Sequence, residues 1–139
     1  MIPTDRDQIR QTYLDVWQKL RHQQWLEPME AMIADIIQMH PEYHPYLSPD
    51  TDIKQREFIP DGGQTNPFLH MGMHIALREQ TSTDRPAGIK AIYQRLAQER
   101  GQHKAEHDMM ECLGQALWQA QRDQKLPDEV SYMECLKKL

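Results

Sequence analysis

Six of the seven histidines in this chain form three pairs, and within each pair the two residues are four positions apart. The pairs are His40/His44, His70/His74 and His103/His107. Random placement of that many histidines would give about 0.3 such pairs. On a helix, residues i and i+4 lie on one face with Cβ atoms about 5–6 Å apart, so two imidazoles can bind one ion from the same side. The spacing therefore predicts a metal site.

The elements that must position these histidines are helices. Apolar residues recur at helical spacing in about six segments, and no segment has the alternating pattern of a half-buried strand. Asn66-Pro67 is typical of a helix start, with a capping side chain followed by a first-turn proline. We therefore predict an all-α bundle of about five to six helices.

A long irregular stretch interrupts this pattern between the second and third helices. From position 41 to position 66 the chain contains four prolines and the pair Gly62-Gly63, with little periodicity. Irregular segments of this length are uncommon in compact domains unless they serve a function. We predict a proline-rich loop over about 41–66 that acts as a lid or a clasp.

Positions on a helical wheel indicate which histidine pairs can meet. On the third helix the apolar stripe is centred on Met73, and His70 and His74 lie about 60–100° to one side of it. On the fifth helix His103 and His107 lie about 80–120° to the same side of the stripe. On both helices the histidines lie to the same rotational side of the apolar stripe. Two such sides face each other only when the neighbouring helices are antiparallel. The third and fifth helices are therefore predicted to be antiparallel neighbours whose four histidines bind one ion.

Glu106 lies near the centre of the apolar stripe of the fifth helix, so its side chain is expected to point inward. Burial of a carboxylate is costly unless the group is paired. Glu106 is therefore expected to be a metal ligand, a partner of a ligating histidine, or a general base with a raised pKa. The alternative is an ion pair with a buried arginine such as Arg78, or a position near a helix end in water.

The pair His40/His44 is different, because each histidine precedes a proline. A following proline disfavours helical backbone. We therefore expect His40 and His44 to be accessory metal ligands supplied from a loop, or to cap a helix.

Composition limits the other classes of function. A length of 139 residues suits a single domain over 1–139, and a net charge of −5 without a basic patch argues against nucleic-acid binding. No apolar run approaches the roughly 20 residues that span a membrane, and the first residues lack the apolar core of a signal peptide. A soluble cytoplasmic protein is expected. Cys112 and Cys135 lack metal-site or redox-motif spacing, so both are expected to be reduced and partly buried.

Three functions agree with this pattern. The first is a transition-metal protein, because imidazole and carboxylate ligands suit zinc, nickel or iron. An open coordination position would make it a metal-dependent hydrolase with Glu106 as base, although the sequence identifies neither substrate nor reaction. The second is a metal-free interaction or dimerisation module, which would be a homodimer in the simplest case. The third is a di-iron redox or oxygen-handling bundle, although the Glu-x-x-His motif of such bundles does not occur here.

Three strings of the sequence resemble a known bacterial family, domain of unknown function 1841. They are HPEYH (40–44), TNPFLHMGMHIALREQ (65–80) and HKAEHDMMECLGQALWQAQR (103–122). The resemblance covers nearly the whole length. It implies an α-helical bacterial protein and supplies no reaction.

Overall fold

The structure, a computed structural model, describes residues 6–48 and 66–139, with the side chain of residue 6 left out. Over these ranges the chain forms six α-helices and one 3₁₀ helix and contains no strand. The predicted all-α fold is therefore confirmed. The helices are α1 (Arg6–Arg21), α2 (Pro28–Gln38), η1 (Pro41–Leu47), α3 (Pro67–Thr83), α4 (Ile89–Arg100), α5 (Gln102–Asp123) and α6 (Glu129–Lys137).

Backbone contacts divide the chain into two compact units, Met1–Met71 and Gly72–Leu139. Helix α3 begins in the first unit and ends in the second. A single domain over 1–139 stays a prediction, and each unit is described by itself below.

In the first unit, α1, α2 and η1 pack on one another. The buried side chains of its core include Val16, Ile36, Ile37 and Leu47. The start of α2 is fixed by a capping box between Glu27 and Glu30, with a proline in the first turn. These contacts satisfy backbone N–H groups that a helix cannot satisfy internally.

The proline-rich stretch begins as an ordered element. Residues Pro41–Leu47 form η1, in which Pro45 lies inside the helix. A 3₁₀ helix is short and tolerates proline here because few of its N–H groups need an intrahelical acceptor. The predicted loop therefore starts with a helical turn, and its part from 49 to 65 lies outside the described residues.

The predicted cap of α3 is confirmed. The side-chain oxygen of Asn66 accepts hydrogen bonds from the backbone N–H groups of Phe68, at 3.0 Å, and Leu69, at 3.3 Å. Pro67 occupies the first helical position, where its missing N–H is not needed. The local sequence therefore sets the residue at which this histidine-bearing helix begins.

The second unit has a continuous core formed by α4, α5, α6 and the end of α3. Its fully buried members include Leu77, Ile89, Leu96, Met109 and Leu136. Gly101 separates α4 from α5 with a φ of 86°, a value that favours glycine. This glycine therefore ends α4 and precedes α5, which can take a new direction.

The cysteines differ from expectation. Cys112 of α5 and Cys135 of α6 are joined by a disulfide, with Cα atoms 5.8 Å apart. The prediction of two reduced cysteines is therefore wrong in this structure. The pairing depends on the packing of α5 against α6, which brings two cysteines 23 positions apart close enough to bond. Because their spacing in the sequence is not a short motif, the sequence alone does not predict the bond.

Within the described residues, the structure has no helix that is both long and apolar enough to cross a membrane. The cytoplasmic location stays a prediction.

Replacement of both cysteines by serine is expected to lower the free energy of unfolding. A disulfide that closes a loop of this length restricts the unfolded chain, which corresponds to about 3 kcal/mol. Urea unfolding of C112S/C135S and of the oxidised wild-type protein measures the difference. Equal unfolding midpoints would show that the bond contributes nothing to stability.

Candidate metal centre

The functional side chains of the second unit come from α3 and α5. His74 of α3 is completely buried, and Glu106 of α5 is 2% exposed. The inward position predicted for Glu106 is confirmed. His74 was predicted to flank the apolar stripe of α3, and that prediction is wrong, because His74 lies on the buried face together with Leu77.

The buried face of α3 differs from the stripe that the wheel centred on Met73. Leu69, an apolar residue of α3, is 59% exposed, and Met73, the centre of the predicted stripe, is only partly buried. The wheel weighs hydrophobicity alone, and it could not anticipate that a buried carboxylate on α5 would make an inward histidine favourable.

Glu106 holds two donors at once. The Nδ1 atom of His74 is 2.9 Å from Oε2 of Glu106, and Nε of Arg78 donates to Oε1 at 3.0 Å. Each carboxylate oxygen therefore has a partner. The alternative partner proposed from the sequence, Arg78, is present together with the histidine partner rather than instead of it.

These contacts determine the charge of Glu106. Burial alone would raise the pKa of the Glu106 carboxyl, but the hydrogen bonds from His74 and Arg78, with the positive charge of Arg78, outweigh it and hold that pKa below its ordinary value. The raised pKa that the sequence suggested for Glu106 is therefore wrong, and a role as general base stays a prediction. A lowered pKa favours the ionised carboxylate, which accepts hydrogen bonds.

The charge of Glu106 in turn fixes the tautomer of His74. An ionised carboxylate can only accept hydrogen bonds, so Nδ1 of His74 must carry the proton. The lone pair of the neutral ring is then on Nε2. A carboxylate that holds Nδ1–H of a histidine is the usual outer partner of a metal-ligating imidazole.

His107 lies next to this lone pair. The Nε2 atoms of His74 and His107 are 3.2 Å apart. Two nitrogens bound to one tetrahedral zinc at about 2.0–2.1 Å would lie roughly 3.3 Å apart. The two imidazoles therefore already have the separation that one ion requires.

His103 lies at the exposed edge of this group. Its ring centroid is 4.1 Å from that of His107 and 6.3 Å from that of His74. The structure therefore brings His74, His103, His107 and Glu106 together. The sequence grouped these residues with His70, which belongs to the first unit, and binding of one ion by all four histidines stays a prediction. The antiparallel direction of these helices stays a prediction.

The first unit contains a second histidine pair, His40 and His70. Their ring centroids are 5.0 Å apart, and they offer ring nitrogens within 4.8 Å of one another. His40 is 2% exposed, and its Nδ1 donates to the carbonyl of Ile36 at 2.8 Å. A backbone carbonyl on Nδ1 also directs the lone pair of a neutral histidine to Nε2.

His44 has a different environment from His40. Its Nε2 is 2.9 Å from the carbonyl oxygen of Ile37, and its ring packs on Trp17 with centroids 4.2 Å apart. A neutral ring that donates from Nε2 to a carbonyl keeps its lone pair on Nδ1. The environments of His40 and His44 therefore differ, and an accessory ligand role for His44 stays a prediction.

Sequence reasoning gave too little weight to two residues. His40 was only an accessory because Pro41 follows it, yet His40 directly precedes η1 and its side chain is buried. Arg78 was named only as an alternative. The available signal was its position four residues after His74 on one helix face.

The chain was compared with known proteins. The model of the family described as Domain of unknown function (DUF1841) matches residues 5–138, nearly the whole chain. No curated protein and no solved structure matches it.

Truncation of Glu106 is expected to destabilise the fold. In the variant Glu106→Ala, Arg78 and the imidazole of His74 lose a buried acceptor, which should lower the free energy of unfolding by roughly 3 kcal/mol. Glu111→Ala is a matched control, because Glu111 is an exposed glutamate of the same helix. It should change stability by less than about 0.5 kcal/mol. Equal urea midpoints for the two variants would contradict the pairing described above.

Proposed function

For this chain, which belongs to the family described as Domain of unknown function (DUF1841), we propose transition-metal binding by histidines of α3 and α5. The observation that carries the proposal is the arrangement of His74. Its Nδ1 is held by Glu106, and its Nε2 faces the Nε2 of His107 at 3.2 Å. An ion would replace the proton that these two nitrogens share.

The proposed ligands are all imidazoles. His74 and His107 form the centre of the site, and His103 is next to them at the solvent-exposed edge. His70 belongs to the first unit, and its role as a metal ligand stays a prediction. His40 contacts His70 in the first unit, so the contribution of both histidines to metal binding is tested together. Nitrogen ligands of this kind suit zinc, nickel or iron.

Glu106 is proposed to orient a ligand rather than to be one. Both of its oxygens are engaged, one with His74 and one with Arg78, so neither is available to a metal or to a water molecule. For the same reason the proposal does not include Glu106 as the base of a hydrolase. A di-iron centre is also disfavoured, because such centres depend on several carboxylate ligands and the buried carboxylate of the second unit is already paired.

Metal content of protein purified without a histidine tag tests the proposal. One equivalent of zinc or another divalent transition metal should bind per chain. His74→Ala and His107→Ala should each weaken binding by at least about tenfold, and Glu106→Gln by about 10–100-fold, because a misoriented imidazole binds a metal poorly. Competition with a chromophoric chelator measures these affinities.

His22→Ala is the matched control for this test. His22 is exposed, and its Nδ1 contacts the carbonyl of Gln18 within α1, so its removal should leave the affinity unchanged. His70→Ala and His40→Ala measure whether the second histidine pair contributes. Absence of stoichiometric metal, or equal losses in His74→Ala and His22→Ala, would reject the proposal.

A dimerisation module remains a second candidate because of exposed apolar side chains in the second unit. Leu126 is 90% exposed and Val130 is 67% exposed, beside an apolar groove that Leu117 also lines. Exposed apolar residues that lie together often mark an interaction surface. If this surface forms a homodimer, sedimentation should give a dimer for the wild type and a monomer for Leu126→Glu. A wild-type monomer at high concentration would reject this candidate.

A further inference from the structure

We propose that the Cys112–Cys135 disulfide controls the metal affinity of the site on α3 and α5, so that reduction of the disulfide weakens metal binding. This inference rests on the proposed function. Its physical basis is a series of contacts within the second unit that leads from the disulfide through α6 to α3.

The first step concerns access to the disulfide. Both cysteines line an open groove of about 370 Å³ between α5 and α6, together with Gln115, Gln119 and Lys138. Cys112 is buried and Cys135 is half-buried, so the sulfur of Cys135 is the one that a reductant in the groove would attack. A dithiol reductant transfers two electrons and two protons: the S–S bond of the protein breaks, two thiols form, and the reductant becomes a disulfide.

The disulfide holds α6 against α5. It is a covalent cross-link between α5 and α6 in addition to the backbone, and α6 is a short helix of 9 residues. A helix of this length has little stability of its own and depends on tertiary contacts. Loss of the link therefore gives α6 more freedom to move against α5.

Two residues of α6, Tyr132 and Leu136, connect this helix to α3. The hydroxyl of Tyr132 donates to Oε1 of Gln80 at 2.7 Å, and the Tyr132 side chain is buried. Leu136 of α6 lies in the same buried cluster as Leu77 of α3. Helix α6 therefore contacts α3 at Gln80, and the two helices contribute side chains to one core.

The segment of α3 that contains Gln80 also carries the proposed metal ligand His74. Gln80 lies two residues after Arg78 and six after His74, which is about 9 Å along the helix axis. Arg78 and His74 both bind Glu106, and the position of α3 against α5 sets the 3.2 Å separation between His74 and His107. Metal–ligand distances tolerate shifts of only about 0.2 Å, so a displacement of α3 would lower the affinity.

Zinc titration of metal-free, tag-free protein tests the coupling. Four forms are compared: the oxidised wild type, the wild type reduced with a phosphine and desalted without oxygen, C112S/C135S, and Y132F with its disulfide intact. The phosphine is oxidised to its oxide, and water supplies the oxygen atom and the two protons. C112S/C135S has no thiols, so it shows whether new thiolates bind zinc in the reduced protein.

We expect C112S/C135S to bind zinc about tenfold or more weakly than the oxidised wild type, which is the range for loss of support around a metal ligand. Y132F should show part of this loss, since it removes the hydrogen bond to Gln80 and keeps the disulfide. If C112S/C135S does not fold, the zinc affinities of Y132F and of the reduced wild type still test the inference. Glu134→Ala, an exposed change beside Cys135, should bind as the wild type does.

Hydrogen exchange of the α3 amides in metal-free protein separates the two proposals. If the oxidised wild type binds no zinc, the proposed function is rejected. The inference, which rests on zinc binding, then falls with it. In protein that does bind zinc, faster exchange of the α3 amides upon reduction supports the coupling, and unchanged exchange overturns it. If the oxidised wild type binds zinc, equal affinities of the oxidised wild type, C112S/C135S and Y132F overturn the inference and leave the proposed function intact.

Discussion

The pairing of the buried Glu106 carboxylate with His74 and Arg78 is the interaction on which the second unit depends. A buried carboxylate is costly, and here the cost is offset by two charge-assisted or polar hydrogen bonds from one neighbouring helix. The same pairing joins α3 to α5 and forces the proton of His74 onto Nδ1. Stability and the chemistry of the site therefore depend on one group.

The fold could largely be predicted from local signals. The cap at Asn66, the proline at position 67 and the glycine at position 101 act through backbone geometry, which a short stretch of sequence specifies. The histidine spacing on α3 and α5 likewise predicted which residues would meet, because side chains four residues apart share a helix face. These features need no knowledge of the tertiary structure.

The features that could not be predicted depend on contacts between distant segments. The wheel placed His74 at the edge of the core, although its partner on α5 makes it fully buried. Burial suggested a raised pKa for Glu106, although two donors from α3 lower it. The disulfide joins α5 and α6, and no spacing motif in the sequence predicts that these helices pack together. In each case a long-range pairing reversed the prediction from local sequence.

The central claim is that Glu106 fixes His74 with its proton on Nδ1 and its lone pair directed at His107. Nitrogen-15 NMR of the imidazole rings in metal-free protein at neutral pH tests this claim most directly. The account predicts that His74 is the Nδ1–H tautomer and that added zinc shifts its Nε2 resonance while Nδ1 stays protonated. An Nε2–H tautomer of His74, or a zinc-induced shift of its Nδ1 in place of Nε2, would contradict the account.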